Sequence, residues 1–151
     1  MTMTRTILGV GLLATLLLVS GTLSTPAAAA SDSLYKRLGG YDAISAVVDE
    51  FAGRLFADQK LESFFGGWSG EKQTRFKQLN TLLVCNATGG PCAYLGRTMP
   101  ASHQGMGITD ARFDQVAGHL VATLDKFKVP KQEKDELLKI IGGLRGDIVG
   151  K

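Results

Sequence analysis

A single histidine, His103, lies near the end of an irregular, glycine-rich segment that runs from Gly89 to Thr109. Imidazole nitrogen is a good metal ligand, but most metals in proteins need three or four protein ligands. One histidine suffices for iron when a porphyrin supplies four further nitrogens. The segment alone therefore leaves two interpretations open, an iron ligand of that kind or a solvated loop histidine.

Amphipathic helices are predicted before this segment, because the apolar residues recur with helical spacing. A short helix over residues 31–38, with Ser33 as its cap, ends at Gly39-Gly40. Asp42 is expected to cap the next helix, and another covers residues 71–87 before a Thr-Gly-Gly-Pro breaker. The apolar faces of the two long helices are Ile44, Val47, Val48, Phe51 and Leu55, then Phe76, Leu79, Leu82, Leu83 and Val84.

Helices are also predicted around and after His103. Residues 97–104 have room for two turns, a longer helix opens at Thr109 or Asp110, and Pro130 suits the first turn of a last helix. No segment alternates with period two, so the predicted fold class is all-α. The two apolar faces are Phe113, Val116, Ala117, Leu120, Leu124 and Phe127, then Leu137, Leu138, Ile141, Leu144 and Ile148.

The first thirty residues have the pattern of a signal peptide. An apolar run over residues 7–19 is short for a membrane span, and three alanines ending at Ala30 fit the small-residue cleavage rule. Cleavage after Ala30 would leave residues 31–151 as one exported domain, periplasmic or secreted, that meets the membrane only during export. An uncleaved N-terminal anchor is the alternative.

The charge pattern and the absence of several motifs exclude other function classes. The formal net charge is +3, and acidic and basic residues interleave over 126–139 as on a solvated helix face, which does not indicate nucleic-acid binding. The sequence has no phosphate-binding loop, no dinucleotide fingerprint and no Cys-X-X-Cys-His motif for covalent haem attachment.

Cys85 and Cys92 lie seven residues apart. In an exported protein they could form a small-loop disulfide. Alternatively, the helix that contains Cys85 could hold the two sulfurs too far apart and leave two thiols.

The segments SLYKRLGG over residues 33–40 and GGPCAYLGRTM over residues 89–99, with Phe64-Phe65, His103 and Gly107-Ile108-Thr109, resemble a group 1 truncated haemoglobin. The resemblance covers residues 33 to 149. It implies a two-over-two sandwich of helices that holds haem b.

The resemblance also implies which residues hold the cofactor. His103 matches the proximal histidine that binds the iron. The ring of Phe65 matches a residue that packs on the haem, and Arg97 is either a partner of a haem propionate or an exposed arginine. The other contacts that it implies near the haem are Met99, Phe113, Ile108, Val116, Phe76 and Asn80.

The distal side, where a gas would bind, departs from the family pattern. The tyrosine usual in the second helix falls at Ala52, and the usual polar residues of the third fall at Phe76 and Asn80. A hydrogen bond to bound O2 contributes about 1.5–3 kcal/mol, or about ten- to a hundred-fold in affinity. We therefore expect weak stabilisation of O2. The predicted distal pocket consists of Phe51, Ala52, Phe76, Asn80 and Val84.

Other side chains could compensate for the lost tyrosine in two ways. A shift of the third helix by one turn would bring Gln73 or Gln78 to the pocket in place of Phe76. Alternatively, Tyr35 or Tyr41 could extend into the distal pocket, although neither lies at the level along the helices that the family's tyrosine occupies.

Two further side chains near these elements have alternative interpretations. His119 is either a second ligand or, in keeping with its position beside an apolar stripe, a flank residue with a satisfied nitrogen. Ser102 precedes His103, but adjacent helical residues point apart, which argues against a Ser-His dyad.

These features predict a haem protein that reversibly binds O2, CO or NO at ferrous iron. The alternative is an enzyme on the same scaffold, a nitric oxide dioxygenase with a reductase partner or a weak peroxidase. A third hypothesis is a helical interaction domain without haem.

Overall fold

The computed structural model describes residues 32–151, and every regular element in that range is helical. The predicted signal peptide, residues 1–30, and its cleavage site lie outside the described residues. Within residues 32–151 no helix combines the length and the apolar character needed to cross a membrane.

Eight α-helices follow one another along the described chain, with one 3₁₀ turn at Gln59–Leu61. The predicted all-α fold class is thereby confirmed. The helices are α1 Leu34–Arg37, α2 Gly40–Ala57, α3 Glu62–Phe65, α4 Gly70–Ala87, α5 Met99–His103, α6 Asp110–Lys126, α7 Lys131–Gly142 and α8 Arg145–Ile148.

The four long helices form two layers of two. Helix α2 packs on α4 in one layer and also contacts α6, which packs on α7 in the other. A cluster of buried leucines, Leu34, Leu120, Leu124 and Leu137, joins α1, α6 and α7. Val47 and Phe51 of α2 and Val84 of α4 pack against this cluster, which joins the two layers. Burial of apolar side chains contributes about 1.5–3 kcal/mol each.

Two predicted helix starts differ from the structure. Asp42 was expected to cap the second helix, but α2 begins at Gly40 and the cap is Gly39, with φ of 93°. Glycine adopts this left-handed conformation without a steric penalty. The helix therefore begins at Gly40, and Asp42 lies within its first turn. Pro130 is the residue before α7 and not part of its first turn.

Two predicted features at the C-terminal end were also wrong. The last helix does not continue to Ile148, because α7 ends at Gly142 and α8 forms after the Gly142-Gly143 pair. Phe127 was placed on the buried face of α6, yet it is 42% exposed. It follows the last helical residue, so its side chain leaves that face.

Cys85 and Cys92 form a disulfide that joins the last turn of α4 to the loop after it. Gly89 has φ of 82° and lets the chain reverse, while the amide of Gly90 donates to the Cys85 carbonyl at 2.8 Å. A Cβ at Gly90 would lie 2.7 Å from the Cys85 sulfur, so only glycine fits there. The reversal at this glycine pair brings the two sulfurs together, and the structure thereby favours the disulfide over two thiols.

His119, on α6, has a hydrogen-bond partner for its ring nitrogen Nε2. Its Nε2 lies 2.7 Å from the Asp58 carboxylate, which also accepts from Gln115 Nε2 at 2.6 Å and from the Lys60 amide at 2.9 Å. The hydrogen bond from His119 and then that from the Lys60 amide lower the pKa of Asp58 below its usual value. His119 is therefore the satisfied flank residue of the two alternatives.

Removing the disulfide should lower the free energy of unfolding by about 2–3 kcal/mol, because the bond closes a loop of about eight residues in the unfolded chain. Urea unfolding of the wild type with and without reductant, and of the Cys85→Ala/Cys92→Ala variant, measures this. The reduced wild type and the variant should agree. Equal stability in all three samples would show that the bond does not constrain the chain.

Candidate functional site

A cavity of about 760 Å³ lies between α2 and α4 on one side and α5 and α6 on the other. Ligand pockets of this size commonly hold a molecule with several rings. Its walls are mostly apolar side chains, and those that matter below are Phe51, Phe65, Phe76, Val84, Met99 and Phe113.

His103 is the histidine that lines this cavity. It ends α5, and its Nδ1 lies 2.8 Å from the Met99 carbonyl one turn earlier. This carbonyl can only accept, so Nδ1 carries the proton and Nε2 keeps its lone pair. No residue of the described chain forms a hydrogen bond with Nε2, which leaves it available to a metal ion.

Ser102 lies closer to His103 than the sequence predicted, with its Oγ 3.3 Å from Nδ1. The expectation that the two side chains point apart was wrong at this short helix. The hydroxyl also lies 2.9 Å and 3.0 Å from the carbonyls of Thr98 and Met99, both of which can only accept its proton. The serine is therefore not arranged as a nucleophile activated by His103.

Helix α5 has only five residues, too few to be stable alone, so contacts from elsewhere must fix it. It packs against α8, and the C-terminus is tied to the loop after His103. The Gly150 amide donates to the Ile108 carbonyl at 3.0 Å, and the Gly107 amide donates to the Lys151 carbonyl at 3.4 Å. The last residues of the chain thus hold the histidine in place.

Almost all the site residues predicted from the sequence line this one cavity. They are His103, Phe65, Met99, Phe113, Ile108, Val116, Arg97, Phe51, Phe76, Asn80 and Val84. Ala52 is the exception, because it is fully buried on α2 without lining the cavity. Its short side chain is covered by packed neighbours and brings no hydrogen-bond donor to the distal side.

Asn80 is the uncharged polar residue that α4 presents to the cavity, one turn after Phe76, and Gln73 and Gln78 are not among the lining residues. Gln73 donates instead to the Trp68 carbonyl at 3.2 Å. Neither Tyr35 nor Tyr41 lines the cavity. The Asn80 amide donates to the carbonyl of Phe76 on its own helix at 2.9 Å, which commits one of its two hydrogens.

An aromatic cluster forms the wall where α3 meets α4. The rings of Phe65, Trp68 and Phe76 pack mutually at centroid distances of 5.1–5.7 Å, and Phe56 packs against all three. Edge-to-face pairs of this kind add about 0.5–1.5 kcal/mol each. Sequence reasoning did not assign Trp68 to the site, although it follows the Phe-Phe-Gly-Gly corner directly.

Charged residues at the cavity were also missed. Besides Arg97, the cavity is lined by Lys72, Arg75 and Arg112, and by Tyr94, whose hydroxyl donates to the Arg97 carbonyl at 3.2 Å. Their helical spacing on α4 was visible, since Lys72, Arg75, Phe76 and Leu79 form one stripe. A stripe that begins with cations and continues with apolar residues is typical of a helix that borders a pocket mouth.

The residues present fit haem. The macrocycle requires an apolar slot, the iron requires an axial nitrogen, and the two propionates require cationic partners. The cavity supplies aromatic walls, the unengaged Nε2 of His103 and cationic side chains where it meets solvent.

The chain matches the family model described as bacterial-like globin over residues 33–149. The group 1 truncated haemoglobin of Mycolicibacterium paratuberculosis is 39% identical over 116 residues, 77% of this chain and 83% of the relative. The group 1 truncated haemoglobin of Tetrahymena pyriformis is 33% identical over 119 residues, 79% of this chain and 96% of the relative.

Solved structures show the same fold. The truncated haemoglobin from Tetrahymena pyriformis in its Fe(III) form superposes with a TM-score of 0.73 at 30% identity, covering 80% of this chain and 100% of that one. The 2/2 haemoglobin from a Synechococcus species, in the cyanomet state with covalently attached haem, gives 0.71 at 35% identity with the same coverage. These matches show that the chain belongs to the bacterial-like globin family, among relatives that are group 1 truncated haemoglobins, and that it binds diatomic gases through haem.

Proposed function

We propose that this haem-based gas-binding protein holds haem b through His103, works outside the cytoplasm and depends on an external reductant. The observation that carries the proposal is the unengaged Nε2 of His103, which lines the large apolar cavity.

The disulfide supports haem b over a covalently attached c-type haem. Thioether attachment needs free thiols, and both cysteines of the chain are joined to each other. The sequence also lacks the Cys-X-X-Cys-His motif that such attachment uses.

The side chains around the cavity would divide the work of holding the cofactor. His103 would bind the iron, and the Met99 carbonyl would keep its ring in the required tautomer and increase the basicity of Nε2. Phe65 and Phe113 would cover the macrocycle, and Arg97 would pair with a propionate. Haem, when bound, supplies an iron with an open position for a diatomic gas.

The distal residues would stabilise bound O2 only weakly. Phe51, Phe76 and Val84 offer no hydrogen-bond donor, and Asn80 is partly engaged by its own helix. Because CO carries less partial charge than O2 when bound, the loss of a donor affects O2 more. This pocket therefore favours reversible binding over a chemistry that needs long-lived O2, such as nitric oxide dioxygenation.

Two features support export. The N-terminal sequence has the three parts of a cleavable signal, which are a positive charge at Arg5, an apolar run and small residues before the cleavage site. The Cys85–Cys92 disulfide is typical of proteins in oxidising compartments. Outside the cytoplasm the ferrous state, which O2 and CO require, would be maintained by an electron donor found there.

Replacing His103 by alanine should abolish or strongly weaken the Soret band of the purified protein and its shift on adding CO to the reduced form. The reason is that the apolar walls remain but the axial nitrogen is lost. His119→Ala is the matched control, because the chain has two histidines and this one binds Asp58 instead. Absence of a haem band in the wild type, even with added hemin, would overturn the proposed function.

Introducing a donor on the distal side by Phe76→Gln should slow O2 dissociation by about ten- to a hundred-fold, the effect of one hydrogen bond to a charged acceptor. Stopped-flow mixing measures the rate, and CO dissociation should change much less. Phe76→Leu serves as the control for lost ring volume. If the wild type already released O2 slowly and the glutamine did not slow it further, the pocket would hold a donor not identified above.

Export predicts that the full-length chain, expressed with its own N-terminus in a host with a secretory pathway, is cleaved after Ala30 and recovered outside the cytoplasm. Intact-mass spectrometry identifies the new N-terminus as Ser31. A variant with Leu13 and Leu16 changed to Arg, which interrupts the apolar run, should remain uncleaved. Cytoplasmic recovery of an uncleaved wild type would contradict the proposal.

A further inference from the structure

The cations that line the cavity are Lys72, Arg75, Arg97 and Arg112, here called the cationic rim. Three of them are exposed and Arg112 is half-buried, so they lie where the cavity meets solvent. No acidic residue of the described chain lines the cavity. The rim is therefore a local concentration of one sign of charge.

The rest of the described surface is organised differently. Lysines and arginines elsewhere commonly form ion pairs, as Arg37 does with Glu133 and Arg145 does with Asp110. Among residues 32–151, none of the ion pairs includes a member of the cationic rim. Since the whole chain has a formal net charge of only +3, the rim and not the overall charge sets the potential near the cavity.

Haem accounts for part of this charge. Its two propionates would neutralise two of the four cations and leave a surplus of two at the mouth. Lys72 is also placed over the face of Trp68, with its Nζ 4.2 Å from the ring centroid, which keeps this cation at the rim.

An exposed leucine stands on the loop that contributes Arg97 to the rim. Leu95 is 70% exposed, the largest exposed fraction among the large apolar residues of the described chain. Its loop is fixed at the base by the Cys85–Cys92 disulfide and by Asn86 Nδ2, which donates to the Cys92 carbonyl at 2.9 Å. A loop fixed at its base presents the leucine at a lower entropy cost on binding than a free loop would.

We infer that the cationic rim and Leu95 form a docking surface for a small acidic electron-carrier protein. This inference rests on the proposed function, because it names the kind of reductant that the haem site would use. Charge complementarity selects an acidic partner, and an apolar contact within a charged border is the usual anatomy of an interface. Complexes of electron carriers are small and weak, which suits one leucine and a few cations.

Docking at this surface would place the carrier beside the cavity that would hold haem. The carrier would give up one electron and be oxidised, and the bound haem would accept that electron and be reduced from the ferric to the ferrous form. No bond forms or breaks and no atom is transferred. The two positive charges left over after pairing with the propionates would raise the association rate through electrostatic steering, an effect that salt reduces.

The test is a calorimetric titration of the ferric haem-loaded protein with oxidised plant-type [2Fe–2S] ferredoxin, an acidic one-electron carrier, so that no electron moves. Raising salt from about 20 mM to about 300 mM should weaken binding at least about tenfold. Arg75→Glu should weaken low-salt binding about tenfold, and Leu95→Ser should weaken it at both salt concentrations.

Lys139→Glu is the matched control, since this exposed cation on α7 does not line the cavity and forms no ion pair among the described residues. It should change binding by less than about twofold, and a basic c-type cytochrome should not bind. Equal weakening by Lys139→Glu, or no binding of ferredoxin to a protein with a normal Soret band and CO shift, would overturn the docking surface. Loss of the Soret band itself would instead indicate failure of the proposed function.

Discussion

The hydrogen bond from His103 Nδ1 to the Met99 carbonyl, 2.8 Å long, is the interaction on which the site depends. It selects the tautomer in which Nε2 carries a lone pair, and it fixes the plane of the ring. Helix α5 forms only because α8, the loop ties at Gly107 and Gly150 and the disulfide-bound loop position it from both ends. A weak local helix thus carries the most important ligand, and distant parts of the chain keep it in place.

The distal side of the cavity, in contrast, has few polar side chains. The aromatic cluster around Phe65, Trp68 and Phe76 supplies rigidity, its phenylalanines offer no donor, and the Asn80 amide donates to its own helix. Polarity is instead concentrated where the cavity meets solvent, in the cationic rim. An apolar interior with a charged border would let a small neutral molecule enter, and the same border would orient the two propionates and attract the proposed acidic partner.

Much of this could be predicted from the sequence, because helical spacing and the two glycine motifs are local signals. They indicated the all-α class and brought together His103, Phe65, Met99 and Phe113, which share the cavity. At Ala52 the sequence showed that the usual tyrosine is replaced, but it could not show that the short side chain is covered by its neighbours and does not line the cavity. Lys72 and Arg75 were missed because a charged residue acquires its role only when another element forms the opposite side of the mouth. Gly39 replaced Asp42 as cap because backbone conformation outweighed side-chain preference.

The disulfide has a consequence for the binding of a cofactor. Cys85 lies in the last turn of the helix that forms the distal wall, and Cys92 lies in the loop that leads to α5 and His103. Once the bond has formed, the two walls of the cavity are joined at one corner before any cofactor is present. The bond thereby reduces the number of conformations open to the chain around the empty slot, so less order remains to be gained when a cofactor binds.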